Sequence, residues 1–469
     1  MIFTTSNKLK TVGSLTTVIA FSLATGGCDS SSSSSATPVA FQNFQQADMV
    51  IGQQTFTERS PNQGDGQGNP NHGTYYEPRG RPVLSNSEDV STVFYIPDTG
   101  NLRLQYYLAG IPDELAALPN YALGVTIDFF DDDLEDGVDW EEFSGGQGTS
   151  SNFGYFPTNG NPPGPFSATA SDDVLFVADP DQNRIMAFSP VPGMNSMNTA
   201  QNHFSSKLPA EFVVGQEDPT EREPDCAANR MHSPRDVIYV DGMLIVADTE
   251  NHRVLVFNAA PDADDASADL VLGQADMTSC EANRDGLFTS PFGGNLNTPT
   301  AVWSDGERLV VADTESHRVL VWESFPTENG QTADFALGQS SLSANLPNRD
   351  LGDTENSADA DTLWAPQSVW SDGEHLFVAD TENNRVLIWN NFPVANGDAA
   401  DAVLGQENFE NNTANDTQQN GINQQAVTNS QALWGPAGVY RHGEQLIVTD
   451  TGNHRHLVFT PQPVTEEED

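Results

Sequence analysis

The sequence predicts an all-β fold built from six copies of one four-stranded antiparallel unit, and three observations lead to this prediction. First, the segment LIVADTENHRVLVFN at 244–258 recurs as LVVADTESHRVLVWE at 309–323 and as LFVADTENNRVLIWN at 376–390. Second, weaker copies begin at residues 94, 175 and 446. Third, a proline-led apolar stretch precedes most copies, and a segment ending in Gly-Gln follows several of them. Self-similarity of this kind indicates one structural unit per copy.

Each copy contains two strands joined by a tight turn. An apolar run ends at an aspartate, a short polar Thr-Glu-Asn segment follows, and a β-branched run returns. This pattern is typical of an antiparallel hairpin. The proline-led stretch before the hairpin, such as TPTAVW at 298–303, and the stretch after it, such as ADFALGQ at 333–339, add one strand each. The repeat unit therefore holds four short strands.

The two ends of the chain complete each other. The last copy has its proline-led strand and its hairpin but lacks a Gly-Gln strand after them, whereas ADMVIGQ at 47–53 precedes the first hairpin. We therefore expect the N-terminal strand to complete the last unit and to close the six units into a ring. Such a ring is a β-propeller, a fold that leaves only short sheet edges exposed.

The repeated motif resembles that of the NHL-repeat family of β-propellers, most closely in ADTENHRVLVF at 247–257. The resemblance covers approximately residues 47–461 and implies a propeller of the bacterial exported or lipoprotein type. The family includes a peptide-amidating lyase that holds a zinc ion in its channel with several histidines. Only His232 of this sequence is near such a position, so the resemblance favours a role without catalysis.

Long connections distinguish these units from the usual repeat of that family. The extra residues fall between the Gly-Gln strand and the next proline, as in 339–366 and 406–436. In a four-stranded blade, the turn between the second and third strands lies on the same face of the disc as the connection to the next blade. We call this side the loop-rich face, and we expect it to be the binding surface, because binding residues are concentrated on loops held by a rigid scaffold.

An aspartate and an arginine five residues later recur in all six copies. An arginine that pairs with this carboxylate, or with backbone carbonyls, would brace the blade. We therefore expect the pairs to be structural. They are Asp98 and Arg103, Asp179 and Arg184, Asp248 and Arg253, Asp313 and Arg318, Asp380 and Arg385, and Asp450 and Arg455.

Candidate ligand-binding residues flank the proline that opens each inner strand, because these positions line the mouth of a propeller's central channel. An indole offers a stacking face and an arginine offers a bidentate fork, which together suit a small polar or sugar-like ligand. Packing against the blades is the alternative role for the same side chains. The candidates are His232, Arg235, Asp236, Trp364, Gln367 and Trp434.

The N-terminus has the features of an export signal. Two lysines precede an apolar stretch at 12–24, and TGGC at 25–28 resembles the end of a lipoprotein signal. We expect Cys28 to be lipidated and residues 29–46 to form a Ser-rich tether. Ordinary secretory cleavage is the alternative. These features predict an exported lipoprotein that is anchored in a membrane of the cell envelope and faces the periplasm or the exterior.

The charge balance excludes one class of partner. A formal net charge of −48, from 67 acidic and 19 basic residues, cannot provide the basic face that a nucleic acid requires. The densest acidic run, at 128–143, belongs to an insertion at about 128–160, and residues 462–469 form an acidic tail. The run does not fit a calcium-binding EF-hand loop, because Leu134 and Phe143 stand where oxygen ligands are required. Calcium binding by other acidic groups is the remaining alternative, and no other cofactor is predicted.

Two further cysteines occupy equivalent positions in neighbouring loops, Cys226 in CAANR and Cys280 in CEANR. In an oxidising compartment a disulfide between them is one interpretation, and two separate thiols are the other. Two cysteines without a cluster of histidines make a poor metal site.

The expected function is that of an exported, lipid-anchored scaffold that binds a protein, peptide or glycan partner through its loop-rich face. This expectation depends on the fold, and one fold can host many functions. One alternative is a metal-dependent lyase or hydrolase at the channel mouth, around His232, Arg235 and Asp236. A second alternative is a purely structural envelope protein. The metal content and the oligomeric state are not predicted.

Overall fold

Six antiparallel sheets follow one another along the chain in the computed structural model, one for each copy of the repeat. The structure describes residues 39–61, 75–85, 92–115, 117, 119–123, 164–192, 205–206, 209–284, 292–349, 357–421 and 427–463. Cys28, the acidic insertion at 128–160 and residues 464–469 of the acidic tail lie outside these ranges. The predicted all-β, six-bladed propeller is confirmed.

The strands of each blade succeed one another from the channel outward. Two strands precede the first blade, β1 (Val39–Ala40) and β2 (Met49–Ile51). Blade 1 contains β3 (Val83–Leu84), β4 (Phe94–Asp98), β5 (Arg103–Tyr107) and β6 (Tyr121–Leu123). Blade 2 contains β7 (Ser167–Ala170), β8 (Leu175–Asp179), β9 (Arg184–Phe188) and, after the two-residue β10 (Ser205–Ser206), β11 (Phe212–Val214).

The later blades repeat this order. Blade 3 contains β12 (Pro234–Val240), β13 (Met243–Asp248), β14 (Arg253–Phe257) and β15 (Leu270–Leu272). Blade 4 contains β16 (Pro299–Ser304), β17 (Leu309–Asp313), β18 (Arg318–Trp322) and β19 (Phe335–Leu337). Blade 5 contains β20 (Pro366–Ser371), β21 (Leu376–Asp380), β22 (Arg385–Trp389) and β23 (Ala402–Leu404). Blade 6 contains β24 (Pro436–His442), β25 (Gln445–Asp450) and β26 (Arg455–Phe459), and the final strand is β27 (Gln462–Pro463).

The N-terminal strand closes the ring. Strand β2 pairs antiparallel with β26, with Met49 opposite Val458, and thereby supplies the outermost strand of blade 6. Strand β1 pairs with β27, and the Phe41 ring packs edge-on against Phe377 with its centroid 5.8 Å away. Residues 39–46 are therefore part of the propeller and not of the tether predicted for 29–46, whose residues 29–38 lie outside the described ranges. Burial of Phe41 explains this difference.

Blade 1 departs from the four-stranded pattern. Strand β10, which lies between the third and fourth strands of blade 2, pairs in parallel with β6, with Ser205 opposite Ala122. The sheet of blade 1 therefore has five strands. The chain of blade 2 covers part of its neighbour's outer edge before it returns to form its own last strand.

The core lies between blades rather than within one sheet. Val310 and Val321 of blade 4, for example, pack in one cluster with Val369 and Val378 of blade 5. Both faces of a blade are covered by its neighbours, so a central strand such as β17 is buried at every residue. This explains the nearly continuous apolar runs of the sequence.

The hairpin turns share one backbone conformation. A 3-10 turn follows the repeat aspartate, and the residue after it has a φ between 50° and 56°. Asparagine and histidine tolerate this left-handed conformation better than most residues other than glycine, and they occupy five of the six positions. The residues are Leu102, Asn183, His252, His317, Asn384 and His454.

Candidate functional site

The repeat aspartates and arginines form six buried ion pairs. In each pair the arginine Nε donates to the aspartate Oδ2 at a distance between 2.7 and 3.0 Å. Both side chains of the Asp313 and Arg318 pair are fully buried. The geometry is that of the structural brace that the sequence predicts.

Each brace also holds the long loops. Asp248 Oδ1 accepts the backbone N–H of His232 at 2.7 Å, and the two Nη atoms of Arg253 donate to the carbonyls of Met277, Ala227 and Arg230 at 2.7 to 2.9 Å. Burial raises the pKa of Asp248, and the Arg253 charge opposes this shift. The loop-rich face is therefore anchored to the blades by charged hydrogen bonds.

Histidine and asparagine side chains at the hairpin turns connect neighbouring blades. The His252 Nδ1 atom accepts the backbone N–H of Thr298 at 3.0 Å, and His454 Nδ1 accepts that of Glu77 at 2.9 Å. At another boundary, Asn183 Oδ1 accepts the backbone N–H of Ser233 at 2.8 Å. We call these contacts the inter-blade clasps. They explain why the repeat tolerates either residue: both side chains provide the same hydrogen-bond acceptor.

The first residues of the six inner strands line one small cavity. Its volume of about 10 Å³ is enough for roughly one water molecule. Asp236 Oδ1 is 3.2 Å from Arg81 Nη2 and accepts the Ser167 hydroxyl, and Asp236 Oδ2 accepts the Val302 N–H at 2.9 Å. Asp236 is 3% exposed. We call the Arg81 and Asp236 pair the channel plug. It gives Asp236 a structural position in place of the predicted ligand contact, because both carboxylate oxygens are taken by donors of the protein.

Six residues surround the mouth of the channel on the loop-rich face. Each follows the proline that opens the inner strand of its blade. The ring combines two arginines, one aromatic side chain and two neutral polar side chains. It is formed by Arg79, Phe166, Arg235, Thr300, Gln367 and Ala437.

The two arginines of the ring lie on either side of Phe166 in blade order. The Arg235 Cζ atom is 5.4 Å from the centroid of the Phe166 ring, and its Nη2 atom is 3.8 Å from Glu250 Oε1. Arg79 Nη2 is 3.5 Å from Glu77 Oε2. Burial lowers the pKa of Arg235, the Glu250 charge opposes this shift, and the Arg79 charge adds to it.

A cleft of about 680 Å³ adjoins the mouth between blades 5, 6 and 1. It shares Gln367 and Ala437 with the channel cavity, so the two spaces are neighbours. Trp434 lines the cleft, with the Cζ atom of Arg59 5.4 Å from its ring centroid. Trp434 also packs on Gly452, where a Cβ atom would come within 2.5 Å of the indole.

The predicted site residues lie in different places. Arg235 and Gln367 line the channel cavity, and Trp434 lines the adjoining cleft. His232 and Trp364 each donate a backbone N–H to the repeat aspartate of their own blade at 2.7 Å. Trp434 makes the same bond to Asp450 at 2.8 Å, so this contact fixes the start of the inner strand in all three blades.

Sequence reasoning missed three residues of the site: Arg79, Phe166 and Arg59. The first two follow Pro78 and Pro165, which open the inner strands of blades 1 and 2. The proline before each of them was the available signal in the sequence, because a proline opens the inner strand of every blade. The structure shows the equivalence: the Thr451 hydroxyl donates to the Pro78 carbonyl and the Thr99 hydroxyl donates to the Pro165 carbonyl.

A disulfide joins Cys226 and Cys280, with the Cα atoms 6.2 Å apart. Cys226 precedes blade 3 and Cys280 precedes blade 4, so the bond connects two neighbouring loops of the loop-rich face. Among the described residues, no group of three or more His, Cys, Asp or Glu side chains is placed to hold a metal ion. The described part of the chain also has no helix that is long and apolar enough to cross a membrane.

Comparison with known proteins identifies the repeat. Residues 231–257 match the family model described as NHL repeat. No curated protein matches this chain. Three solved structures are similar over most of it. The computationally designed Ika8 protein is 8% identical, with 89% of this chain and 100% of that chain covered and a TM-score of 0.36.

The other two structures are lyases. A catalytically inactive virginiamycin B lyase from Staphylococcus aureus, with quinupristin, is 9% identical, with 80% of this chain and 78% of that chain covered and a TM-score of 0.35. A streptogramin B lyase is 10% identical, with 82% of this chain and 95% of that chain covered and a TM-score of 0.35.

Proposed function

We propose that this NHL-repeat β-propeller is an exported, lipid-anchored binding module that holds a protein, peptide or glycan partner at its loop-rich face. One observation carries the proposal: the channel mouth adjoins a cleft of about 680 Å³ whose walls come from three blades and the N-terminal segment. Concave sites with a few convergent polar groups on a rigid scaffold are typical binding sites.

Three polar side chains of the cleft are already hydrogen-bonded to the backbone. The hydroxyl of Thr451 donates to the Pro78 carbonyl at 2.7 Å, that of Thr381 donates to the Pro436 carbonyl at 2.7 Å, and His454 Nδ1 accepts a backbone N–H. A nucleophile or a general base must be within reach of the substrate with its proton or lone pair available. These three side chains are instead bonded to neighbouring backbone groups.

Export and anchoring rest on the sequence of residues 1–28. Replacement of Cys28 with Ser is expected to release the protein from the membrane fraction, because a lipid attached to that cysteine would be the anchor. Fractionation of cells that produce either form is the measurement. Equal retention of the two forms in membranes would count against lipidation.

The binding proposal is tested by capture on the immobilised protein from envelope extracts, followed by identification of the bound partner and titration with it. Trp434→Ala and Gln367→Ala alter the cleft and the mouth and are expected to weaken binding. Glu307→Ala is the matched control, because Glu307 lies in the β16–β17 turn on the opposite face. A partner retained equally by all variants would refute the proposed site.

The purified protein also distinguishes the two alternative functions, a metal-dependent enzyme and a purely structural protein. A stoichiometric transition metal found by elemental analysis would favour the metal-dependent lyase or hydrolase. Failure to retain any protein, peptide or glycan would favour the purely structural role.

A further inference from the structure

We infer that Arg79 and Arg235 form an anion site at the channel mouth, which takes the carboxylate of a small organic ligand. The inference rests on the proposed function for this face and adds the chemical class of what is bound.

Most arginines of the propeller already have close acceptors. Six belong to the braces, and Arg81 belongs to the channel plug. Arg230, Arg308 and Arg441 each contact a carboxylate oxygen at 2.6 to 2.7 Å. This is the expected behaviour in a chain with 67 acidic residues, because a charged hydrogen bond is about twice as strong as a neutral one.

The two arginines of the mouth differ from this pattern. Within the described ranges, neither guanidinium donates a hydrogen bond, and the nearest carboxylate oxygens are 3.5 Å from Arg79 and 3.8 Å from Arg235. The Nε atoms of both are buried without a hydrogen-bond partner, as are those of Arg81 and Arg441, so Nε does not distinguish the mouth arginines. A guanidinium carries five N–H donors and no acceptor. The side chains of Arg79 and Arg235 are 29% and 26% exposed, and the donors that a ligand can reach are their Nη groups.

The surroundings prepare these guanidiniums for an anion. Phe166 supports Arg235 from the side, and an aromatic face leaves the N–H groups at the edge of the guanidinium free to bind. Asp236 follows Arg235 in the chain, but its charge is offset by Arg81 and its oxygens are occupied. The floor of the mouth therefore does not present a free carboxylate to an incoming anion.

The size of the space limits the ligand. The cavity that five of the ring residues line has room for roughly one water, so the anionic group binds at the outer edge of the ring. The rest of the ligand then extends into the cleft, past Gln367. Glu77 and Glu250 stand at the rim with side chains 32% and 40% exposed. These carboxylates oppose a ligand of high negative charge and favour one with a single anionic end.

A guanidinium binds carboxylate and phosphate with the same geometry, so the test must distinguish these two anions. The purified protein is titrated by calorimetry at low salt with acetate, with succinate and with inorganic phosphate. We expect saturable binding of the carboxylates, with acetate bound more tightly than succinate because succinate carries a second negative charge. Arg235→Gln and Arg79→Gln are each expected to lower the affinity by about tenfold or more, the effect of losing a hydrogen bond to a charged group.

Arg308→Gln is the control, because Arg308 is paired with Asp305 on the opposite face. It is expected to leave the affinity unchanged. Melting curves check folding, and they are expected to be unaffected in Arg235→Gln because that guanidinium makes no hydrogen bond among the described residues. Absence of carboxylate binding, binding of phosphate alone, or an equal loss in Arg308→Gln would each overturn the inference.

The inference and the proposed function can fail separately. If Trp434→Ala abolishes capture of a partner while Arg79→Gln and Arg235→Gln bind it normally, the loop-rich face is a binding surface but the anion site is wrong. If carboxylates bind through the two arginines while no macromolecular partner is captured, the anion site stands and the proposed partner class is wrong.

Discussion

Ala365 donates its backbone N–H to the Nδ1 atom of His317 at 3.2 Å, across the boundary between blades 4 and 5. At the next boundary, Gly435 makes the equivalent bond to Asn384 Oδ1 at 2.9 Å. An imidazole nitrogen accepts a hydrogen bond only while it is unprotonated, whereas an amide oxygen accepts at any ordinary pH. Cohesion between blades therefore depends on pH at the histidine clasps and not at the asparagine clasps.

The first prediction concerns acid stability. Burial lowers the pKa of His317 from 6.5 to about 4. As the pH falls below 6.5, His317 becomes protonated in the unfolded chain but stays neutral in the folded protein. The free energy of unfolding therefore decreases until the pH reaches about 4. The slope is up to ~1.4 kcal/mol per pH unit for this group. Urea denaturation between pH 7 and pH 4 is the measurement.

Exchange of the two clasp residues provides the control. His317→Asn is expected to reduce the loss of stability in acid, and Asn384→His is expected to increase it, because both residues already fit the left-handed backbone at these positions. Identical pH profiles for the two variants and the unmodified protein would contradict this explanation.

The second prediction concerns the braces. Arg318→Met leaves the fully buried carboxylate of Asp313 without its cation, and loss of one partner of a buried pair costs about 3–5 kcal/mol. Arg230→Met removes two ion pairs, to Glu217 and Asp265, whose side chains are 69% and 50% exposed. This variant is therefore expected to lower the free energy of unfolding by no more than about 1 kcal/mol. Equal effects of the two variants on the denaturation midpoint would show that the braces are not stabilising in this way.

The third prediction concerns the disulfide. The two cysteines are 54 residues apart in the chain, and closure of such a loop restricts the unfolded state by about 4 kcal/mol in the chain-entropy treatment. We expect a reductant to lower the melting temperature of the protein and to have no effect on Cys226→Ser/Cys280→Ser. If a reductant still lowers the melting temperature of this double variant, the Cys226–Cys280 disulfide is not the cause of the effect.

The fourth prediction concerns ring closure. A chain that begins at residue 54 lacks β1 and β2, and with them Met49, Val50 and Ile51, which are at most 6% exposed. Each such side chain contributes about 1.5–3 kcal/mol on burial, and a typical domain has only about 5–15 kcal/mol of net stability. We expect loss of the cooperative thermal transition, whereas a chain that begins at residue 39 should keep it. An unchanged transition in the shorter chain would disprove the closing role of β2.

The fold could be predicted from the sequence because its determinants are periodic. The aspartate and the arginine five residues later recur in every blade, and the missing strand of the last copy identified 47–53 as its replacement. Residues 39–46 could not be assigned in this way. The repeat reaches into this segment, because Asn43 Oδ1 accepts the Val403 N–H at 3.0 Å as Asn329 accepts that of Val271 and Asn396 that of Ala336. The residue after that asparagine is glycine in both other copies but Phe44 here, which hides the match.

The site was predicted less well because not all of its contacts follow from the repeat. Arg235, Gln367 and Trp434 occupy repeat positions and could be found by alignment of the copies. The contact between Arg81 and Asp236 joins residues that are 155 positions apart, at non-equivalent places in blades 1 and 3, and no repeat pattern encodes it. Arg59 lies in the loop that follows each Gly-Gln strand, where the glutamine side chain donates to the carbonyl seven residues later. Its position could be aligned, but its contact with the Trp434 ring could not be predicted from the repeat.

The channel plug has a geometric consequence for any ligand. With Arg81 and Asp236 joined below the mouth, the ring is shaped like a bowl and not like a tube. A ligand larger than a water molecule that enters from the loop-rich face therefore meets Arg81 and Asp236 before it can pass deeper between the inner strands.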